Sequence, residues 1–101
     1  IPNAKENIGA EYYEQAAAYD PGNKYCVPYC WGTVGIIYNK TLVDTPPTKW
    51  ADLWDEKYSD EILMMDSIKD CFMVALKKNG FSSNSLDESE LQIATEDLIA
   101  Q

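Results

Sequence analysis

The sequence predicts an α/β domain in which a short mixed sheet is flanked by helices. Three apolar runs of strand length, residues 25–29, 36–38 and 62–65, alternate along the chain with segments of helical periodicity. Such alternation is typical of domains that layer helices on a sheet. The chain has 101 residues, of which 46% are apolar and 12% aromatic, so it can bury one modest core.

The first third of the chain is predicted to form a helix, a turn and a strand. Residues 10–18, AEYYEQAAA, are rich in alanine and glutamate, which favour helix. Residues 20–23, DPGN, predict a turn, because proline presets φ and glycine tolerates positive φ. In the strand at residues 25–29, Pro28 cannot donate to a sheet, which places this strand at an edge or at a crossing between subdomains.

The middle of the chain is predicted to fold as a strand, a linker and a short helix. Two glycines bend the chain before residues 36–38, a continuous apolar run that predicts a buried strand. Prolines stiffen the linker DTPPT that follows. Trp50, Leu53 and Trp54 then recur at helical spacing. We expect Thr48 to be the N-cap of this helix and its tryptophans to pack in the core.

The last part of the chain is predicted to contain a strand and two helices. The strand at residues 62–65 ends at Asp66, the expected N-cap of a helix that continues to Asn79-Gly80. Asp87 begins the last helix in a sequence like a capping box, with Glu90 at the third helical position. Ligands of layered α/β domains bind where strand ends meet helix N-termini, so the Asp66 junction is a candidate binding site.

Charge and composition exclude several classes of function. Seventeen acidic against eight basic residues give a net charge of -9, which repels nucleic acid and anionic lipid and attracts cations. The chain has no histidine, the commonest general base and transition-metal ligand, so we expect no enzyme activity, cofactor or metal site. No apolar run approaches the roughly 20 residues that span a bilayer.

The three cysteines are expected to be buried apolar thiols. Cys26 and Cys30 lie four residues apart, which in an extended segment is roughly 13 Å and too far for a disulfide. Cys71 comes from the middle of a predicted helix, and the cysteine spacings match no familiar zinc site. A disulfide that involves Cys71, and metal or redox chemistry, remain the alternatives.

Several motifs together resemble one known family. They are Asp20-Pro21, the run Tyr-x-x-Pro-Tyr-x-Trp-Gly from Tyr25 to Gly32, Tyr38-Asn39, and Trp50-Ala51-Asp52-Leu53-Trp54. In this order they resemble the extracytoplasmic solute-binding proteins of ABC transporters, and specifically the spermidine/putrescine-binding family. The resemblance extends from about Asn3 to the last residue. It implies a protein that captures polyamines in the periplasm or outside the cell, is held at the membrane by a lipid anchor, and serves a transporter permease.

The resemblance also implies a place for this chain in a type II periplasmic-binding-protein fold, whose two α/β lobes close on a ligand. Residues 1–24 correspond to a helix and turn that lead in from the first lobe. Residues 25–101 correspond to the N-terminal part of the second, inserted lobe, so the chain is expected to be a truncated part of a longer protein. The strand that crosses between the lobes then contains Tyr25, Pro28, Tyr29 and Trp31.

The chemistry of a polyamine ligand indicates that its binding site lies at the start of the helix after residue 65. Polyamines are chains of protonated amines, which need carboxylates as acceptors and aromatic faces over their methylenes. The resemblance implies ligand contacts from Asp70, Ser67 and Asp66, although Ser67 stands where close members of the family have an aspartate. A simpler explanation is that Asp66 caps the helix and that Asp70 favours its dipole.

Three alternatives stay open. The same fold also binds metal ions, amino acids or sugars in related families. A nucleophilic thiol at Cys26 or Cys30 would make the protein an enzyme, although no histidine is present to activate it. The third alternative is a self-associating interaction domain, because a lobe with an incomplete sheet exposes apolar faces and strand edges. We expect the isolated chain to form a dimer or a larger assembly.

Overall fold

A computed structural model describes residues 2–101, and the side chains from Asn3 onward. The backbone forms two compact units, Ile1–Thr33 and Val34–Gln101. Within the described residues, regular structure consists of four α-helices and two short 3-10 helices. Each unit is described by itself below.

The first unit contains two short helices, α1 (Pro2–Asn7) and α2 (Ala10–Ala16). The helix predicted at residues 10–18 therefore ends two residues early. The Asp20 amide donates to the Ala16 carbonyl at 3.0 Å, which closes the last turn, and Gly22 and Asn23 have φ values of 82° and 50°. These left-handed conformations reverse the chain and confirm the predicted turn.

Asp20 holds this turn together from the inside. Its side chain is only 4% exposed. Its carboxylate accepts hydrogen bonds from the amides of Tyr25 at 2.9 Å, Cys26 at 2.8 Å and Lys24 at 3.2 Å. The bonds from Tyr25 and Cys26 hold the pKa of Asp20 below its ordinary value, because they stabilise the charged form.

The second unit contains the two longest helices of the described chain. A first 3-10 helix, Trp50–Trp54, and a second, Glu56–Tyr58, precede α3 (Ile68–Lys78) and α4 (Glu88–Ala100). The helix predicted from the tryptophan spacing is thus present in the tighter 3-10 form. The two helices predicted for the last part of the chain are confirmed.

The core of the second unit lies where α3 packs against α4 and the first 3-10 helix. Ala75 and Ala94 are completely buried, and Leu76 is 2% exposed. Two alanines at the contact leave little side-chain bulk between the helices, so the backbones can approach closely. The larger apolar side chains that surround this contact are Trp54, Phe72, Phe81, Leu91 and Leu98.

Local sequence signals set the end of α3. The Gly80 amide donates to Lys77 at 3.1 Å, and the Phe81 amide donates to Leu76 at 2.9 Å, which is the hydrogen-bond pattern of a Schellman motif. Gly80 has a φ of 79°, as this motif requires. Phe81 packs against the core cluster that contains Leu76. The predicted stop at Asn79-Gly80 is confirmed.

The start of α4 is confirmed with one difference. The Asp87 carboxylate accepts from the amides of Ser89 at 2.9 Å and Glu90 at 3.3 Å, so it is the N-cap. Glu90 does not complete the capping box, because its carboxylate accepts from the Ser85 hydroxyl at 2.5 Å. The Ser85 oxygen in turn accepts from the Asp87 amide at 3.2 Å. A serine therefore mediates the bond that a capping box makes directly.

Two other predicted caps are wrong. The N-cap of α3 is Ser67, whose hydroxyl oxygen accepts from the Asp70 amide at 3.4 Å, and not Asp66. At the first 3-10 helix, the Asp52 carboxylate accepts from the amides of Thr48 at 2.7 Å and Lys49 at 3.1 Å. Thr48 is thus held by a carboxylate from within the helix, and it lies one residue before the N-cap, Lys49.

The predicted mixed sheet, and with it the α/β class, is wrong for residues 2–101, which contain no β-strand. A strand is stabilised only when a neighbouring strand pairs with its amides and carbonyls. No second strand lies beside the predicted runs at residues 25–29, 36–38 or 62–65 within the described chain. Tyr29 and Ile37 are 96% and 98% exposed, so the runs at residues 25–29 and 36–38 are not covered on both sides.

Candidate functional site

The start of α3 brings the three predicted ligand residues together. Ser67 and Asp70 are half-buried, and Asp66 is exposed. The Met65 carbonyl turns the chain into the helix by accepting from the Ser67 amide at 2.8 Å and from the Cys71 thiol at 3.1 Å. Asp70 thus lies in the first turn of α3, and Asp66 directly precedes the N-cap, Ser67.

The electrostatics of this turn suit a ligand with N–H donors. Within residues 2–101, neither the Asp66 nor the Asp70 carboxylate accepts a hydrogen bond, and the Ser67 oxygen uses one of its two acceptor positions. The positive end of the helix dipole disfavours a cation here, and the Asp70 carboxylate in the first turn opposes it. The arrangement therefore offers two charged acceptors and one neutral acceptor to a cationic group.

Two concave surfaces of the described chain, one in each unit, lie elsewhere. A concavity of about 770 Å³ in the second unit is lined by residues that include Trp54, Tyr58 and Met64. A concavity of about 360 Å³ in the first unit is lined by residues that include Tyr13 and Asn23. Neither of these two concavities is lined by Asp66, Ser67 or Asp70.

The larger concavity was not predicted from the sequence. Its rim carries the carboxylates of Asp55, Glu56 and Asp60 beside the aromatic side chains of Trp54 and Tyr58. The run of acids between aromatics, WDEKYSDE, was the available signal. The charge of one of these carboxylates is already paired, because the Lys57 ammonium donates to Asp55 at 2.9 Å. This bond lowers the pKa of Asp55.

The four residues predicted for a crossing strand are largely exposed. Tyr25 and Tyr29 are 90% and 96% exposed, Trp31 is 72% exposed, and Pro28 is half-buried. They lie in an irregular segment of the first unit, so the predicted strand is absent. Trp54, in contrast, packs against the core as expected.

The cysteines differ from the expectation of buried thiols. Cys26 and Cys30 are exposed, Cys71 is half-buried, and all three are free. The exposure of the first two follows from their place in the irregular segment after the Asp20 turn. Within residues 2–101 there is no group of three or more side chains that could hold a metal ion. No helix of that part of the chain has the length and apolar character needed to cross a membrane.

Comparison with protein families gives one match over almost the whole chain. The profile of the family described as bacterial extracellular solute-binding protein matches residues 2–96. No solved structure matches the chain significantly.

Individual relatives carry related names. The chain is 41% identical over 81 residues to the spermidine/putrescine-binding periplasmic protein of Salmonella typhimurium. This alignment covers 79% of this chain and 23% of the relative. The chain is 40% identical, over the same shares, to the protein of that name from Escherichia coli. A putrescine/agmatine-binding protein of Pseudomonas aeruginosa is 33% identical over 98% of this chain and 30% of its own length. The chain thus spans about a quarter of the length of these relatives.

Proposed function

Because the chain belongs to the family of bacterial extracellular solute-binding proteins, we propose that it is part of a binding protein that captures putrescine or spermidine for an ABC importer. The observation that carries this proposal is the identity of 33–41% to relatives named for putrescine or spermidine binding. The net charge of -9 supports it, because a strongly acidic protein attracts polycations.

The proposed ligand contacts are the acceptors at the start of α3. Asp70 is the main contact, because its carboxylate is half-buried and accepts no other hydrogen bond within residues 2–101. Ser67 supplies a neutral acceptor beside it, and Asp66 a second, more exposed charge. In a protein about four times as long, further walls of the cleft come from the rest of the molecule.

The proposed location is the periplasm or the outer face of the cell membrane. The family is described as extracellular, and the Salmonella and Escherichia relatives are named as periplasmic. We propose a lipid anchor on the full-length protein and a permease as its membrane partner. The protein acts by binding and release, without catalysis. The segment with Tyr25, Pro28, Tyr29 and Trp31 is the proposed hinge, and residues 25–101 are the proposed start of the second lobe.

Calorimetry of the full-length protein tests the substrate. Titration with putrescine, spermidine, an amino acid and a sugar should give heat with at least one polyamine and with neither of the others. Heat only with the amino acid or sugar would favour the alternative of another solute. Asp70→Asn should weaken polyamine binding, because it removes a charge with little change in shape. Asp44→Asn, an exposed aspartate outside the proposed site, is the matched control.

The isolated 101-residue chain is also proposed to self-associate. Leu63 is 96% exposed, Ile68 82% and Leu86 91%. Around Leu63, the amides of residues 62–65 donate no hydrogen bond within the described chain. Exposed apolar side chains beside unpaired backbone favour pairing with a second copy.

Sedimentation at two salt concentrations tests this association. Net repulsion between chains of charge -9 is screened by salt, so the dimer fraction should rise with ionic strength. Leu63→Lys should reduce it. Ser82→Lys adds the same charge at an exposed polar position and is the control. Equal effects of both substitutions would assign the change to charge and would count against an apolar contact.

A further inference from the structure

The dipeptide Asn79-Gly80 stands at the junction between α3 and α4. Asparagine followed by glycine is the sequence most prone to deamidation, because a glycine amide meets little steric hindrance when it attacks the asparagine side chain. Asn79 is the C-cap of α3 and is half-buried. A reactive sequence therefore lies in a packed and hydrogen-bonded position, where its chemistry depends on the fold.

The folded conformation holds both reacting groups. The Asn79 side-chain amide donates to the Ala75 carbonyl at 3.0 Å and to the Asp97 carboxylate at 2.6 Å. The attacking nitrogen of Gly80 donates to the Lys77 carbonyl at 3.1 Å. Asn79 has a ψ of 1°, and ring closure requires this angle to rotate far from that value. The reaction thus needs the junction to open first.

We propose that Asn79-Gly80 is a deamidation site gated by the opening of the α3–α4 junction. The Gly80 nitrogen attacks the Asn79 side-chain carbonyl carbon, the bond to the side-chain nitrogen breaks, and ammonia leaves with the displaced proton. Water then opens the cyclic imide and gives aspartate or isoaspartate. The net change is water gained and ammonia lost, so water is the only co-reactant.

The product prevents the junction from closing as before. A carboxylate at position 79 has no N–H to donate to Ala75 or Asp97. It also brings a negative charge next to the Asp97 carboxylate, which lies 2.6 Å from the present amide nitrogen. Like charges at this distance repel, and two hydrogen bonds are lost. Each opening that leads to reaction therefore leaves a permanently weakened contact between α3 and α4.

The test compares deamidation of the folded and the unfolded chain. The 101-residue chain is incubated in mildly alkaline buffer with and without urea, and Asn79 conversion is followed by peptide mapping and mass spectrometry. The rate in buffer should be at least about tenfold lower than in urea, because the reaction waits for local opening. Asn84, exposed in a loop, is the internal reference and should differ little between the two conditions. Equal protection factors at Asn79 and Asn84 would overturn the proposal.

A pair of substitutions isolates the contact to Asp97. Asp97→Asn removes the charged acceptor that holds the Asn79 side chain, so conversion in buffer should accelerate. Glu96→Gln changes the neighbouring exposed carboxylate, which accepts only from Gln92 among the described residues, and should leave the rate unchanged. Neither should alter the rate in urea. If Asp97→Asn fails to fold, the rates of Asn79 conversion in the unsubstituted chain, with and without urea, still test the proposal.

The consequence for stability has its own readout. Asn79→Asp should lower the urea midpoint of unfolding at neutral pH, and acidification should narrow the difference because protonated carboxyls no longer repel. Asn84→Asp makes the same chemical change at the exposed reference position and should leave the midpoint almost unchanged. Equal midpoints for Asn79→Asp and the unsubstituted chain would contradict the claim that the product weakens the junction.

Discussion

Lys78 and Asp97 form an ion pair between the last residue of α3 and the third turn of α4. The pair is only partly exposed, with 18% of the lysine and 21% of the aspartate side chain accessible. The Lys78 ammonium also lies 4.7 Å above the Trp54 ring, and the Trp54 indole donates to the Asp97 carbonyl at 2.8 Å. One pair of charges thus joins the three packed elements of the second unit.

Removing the ammonium should destabilise the second unit. Lys78→Met keeps an apolar stem over Trp54 but leaves the Asp97 carboxylate with one donor fewer. We expect a loss of about 1–2 kcal/mol in unfolding free energy, measured by urea denaturation. Lys77→Met, next to it but exposed, is the control and should change stability by less than about 0.5 kcal/mol. Similar losses in both variants would show that the ion pair is not responsible.

The same pair predicts a dependence of stability on pH. Burial acts to raise the pKa of Asp97, but the bonds from Lys78 and Asn79 outweigh it, so the folded pKa is below the ordinary value. The stability from this group is complete above the unfolded pKa of about 4 and is lost as the pH falls through the lower folded pKa.

Urea titrations between pH 7 and pH 2 measure this loss. Lys78→Met should lose less stability on acidification than the unsubstituted chain, because its Asp97 pKa is lowered less. The unfolding free energy of Lys77→Met should depend on pH in the same way as that of the unsubstituted chain. Parallel curves for all three proteins would contradict the role given to Asp97.

Position 67 allows a test of the proposed ligand site. Ser67→Asp adds a carboxylate at the neutral position of the proposed site, and aspartate remains a good N-cap. In the full-length protein it should tighten polyamine binding by about tenfold or more, because hydrogen bonds to charged groups contribute roughly 1.5–3 kcal/mol. Ser67→Asn caps the helix without charge and should leave the affinity near its starting value. An equal gain in both variants would rule out a contact through charge.

Gly80→Ala should destabilise the protein more than the replacement of an exposed glycine that has no positive φ. An added methyl group meets nothing within 4 Å, so the cost of Gly80→Ala comes from its φ of 79° alone, at about 1 kcal/mol. Gly32→Ala, which also meets nothing within 4 Å and has no positive φ, is the matched control. Thermal unfolding of the two variants should separate them by several degrees. An unfolding temperature for Gly80→Ala equal to that of the unsubstituted chain would contradict the Schellman geometry.

The features that the sequence predicts correctly are those that depend on nearby residues. The Asp87 cap and the Asn79-Gly80 stop each depend on a few residues of local backbone, and both are present. The prediction of Asp66 as the N-cap is wrong, because the Met65 carbonyl accepts from the Ser67 amide and the helix begins one residue later than the apolar pattern indicates. Both residues are good cap formers, so composition alone does not separate them.

The strand predictions are wrong for a different physical reason. Residues 62–65 keep the alternation of a strand, with Ile62 and Met64 half-buried and Leu63 and Met65 exposed, yet no second strand pairs with them in residues 2–101. Strand formation depends on a partner remote in sequence. For the site, helical spacing predicts that Asp66 and Asp70 share one side of a first helical turn, and their role in binding stays a prediction; Asp66 precedes the N-cap of α3, Ser67. The acidic rim near Tyr58 was missed because its residues lie in short 3-10 turns without a helical repeat.

The exposed Trp31 and the packed Trp54 give the two units different optical properties. Trp31, in the first unit, is 72% exposed, whereas in the second unit Trp50 is half-buried and the Trp54 indole is partly buried and hydrogen-bonded. Indole fluorescence shifts to longer wavelength in water, so the red edge of the emission comes mainly from Trp31. A neutral quencher such as acrylamide should remove that edge first, and the remaining blue emission then reports unfolding of the second unit alone.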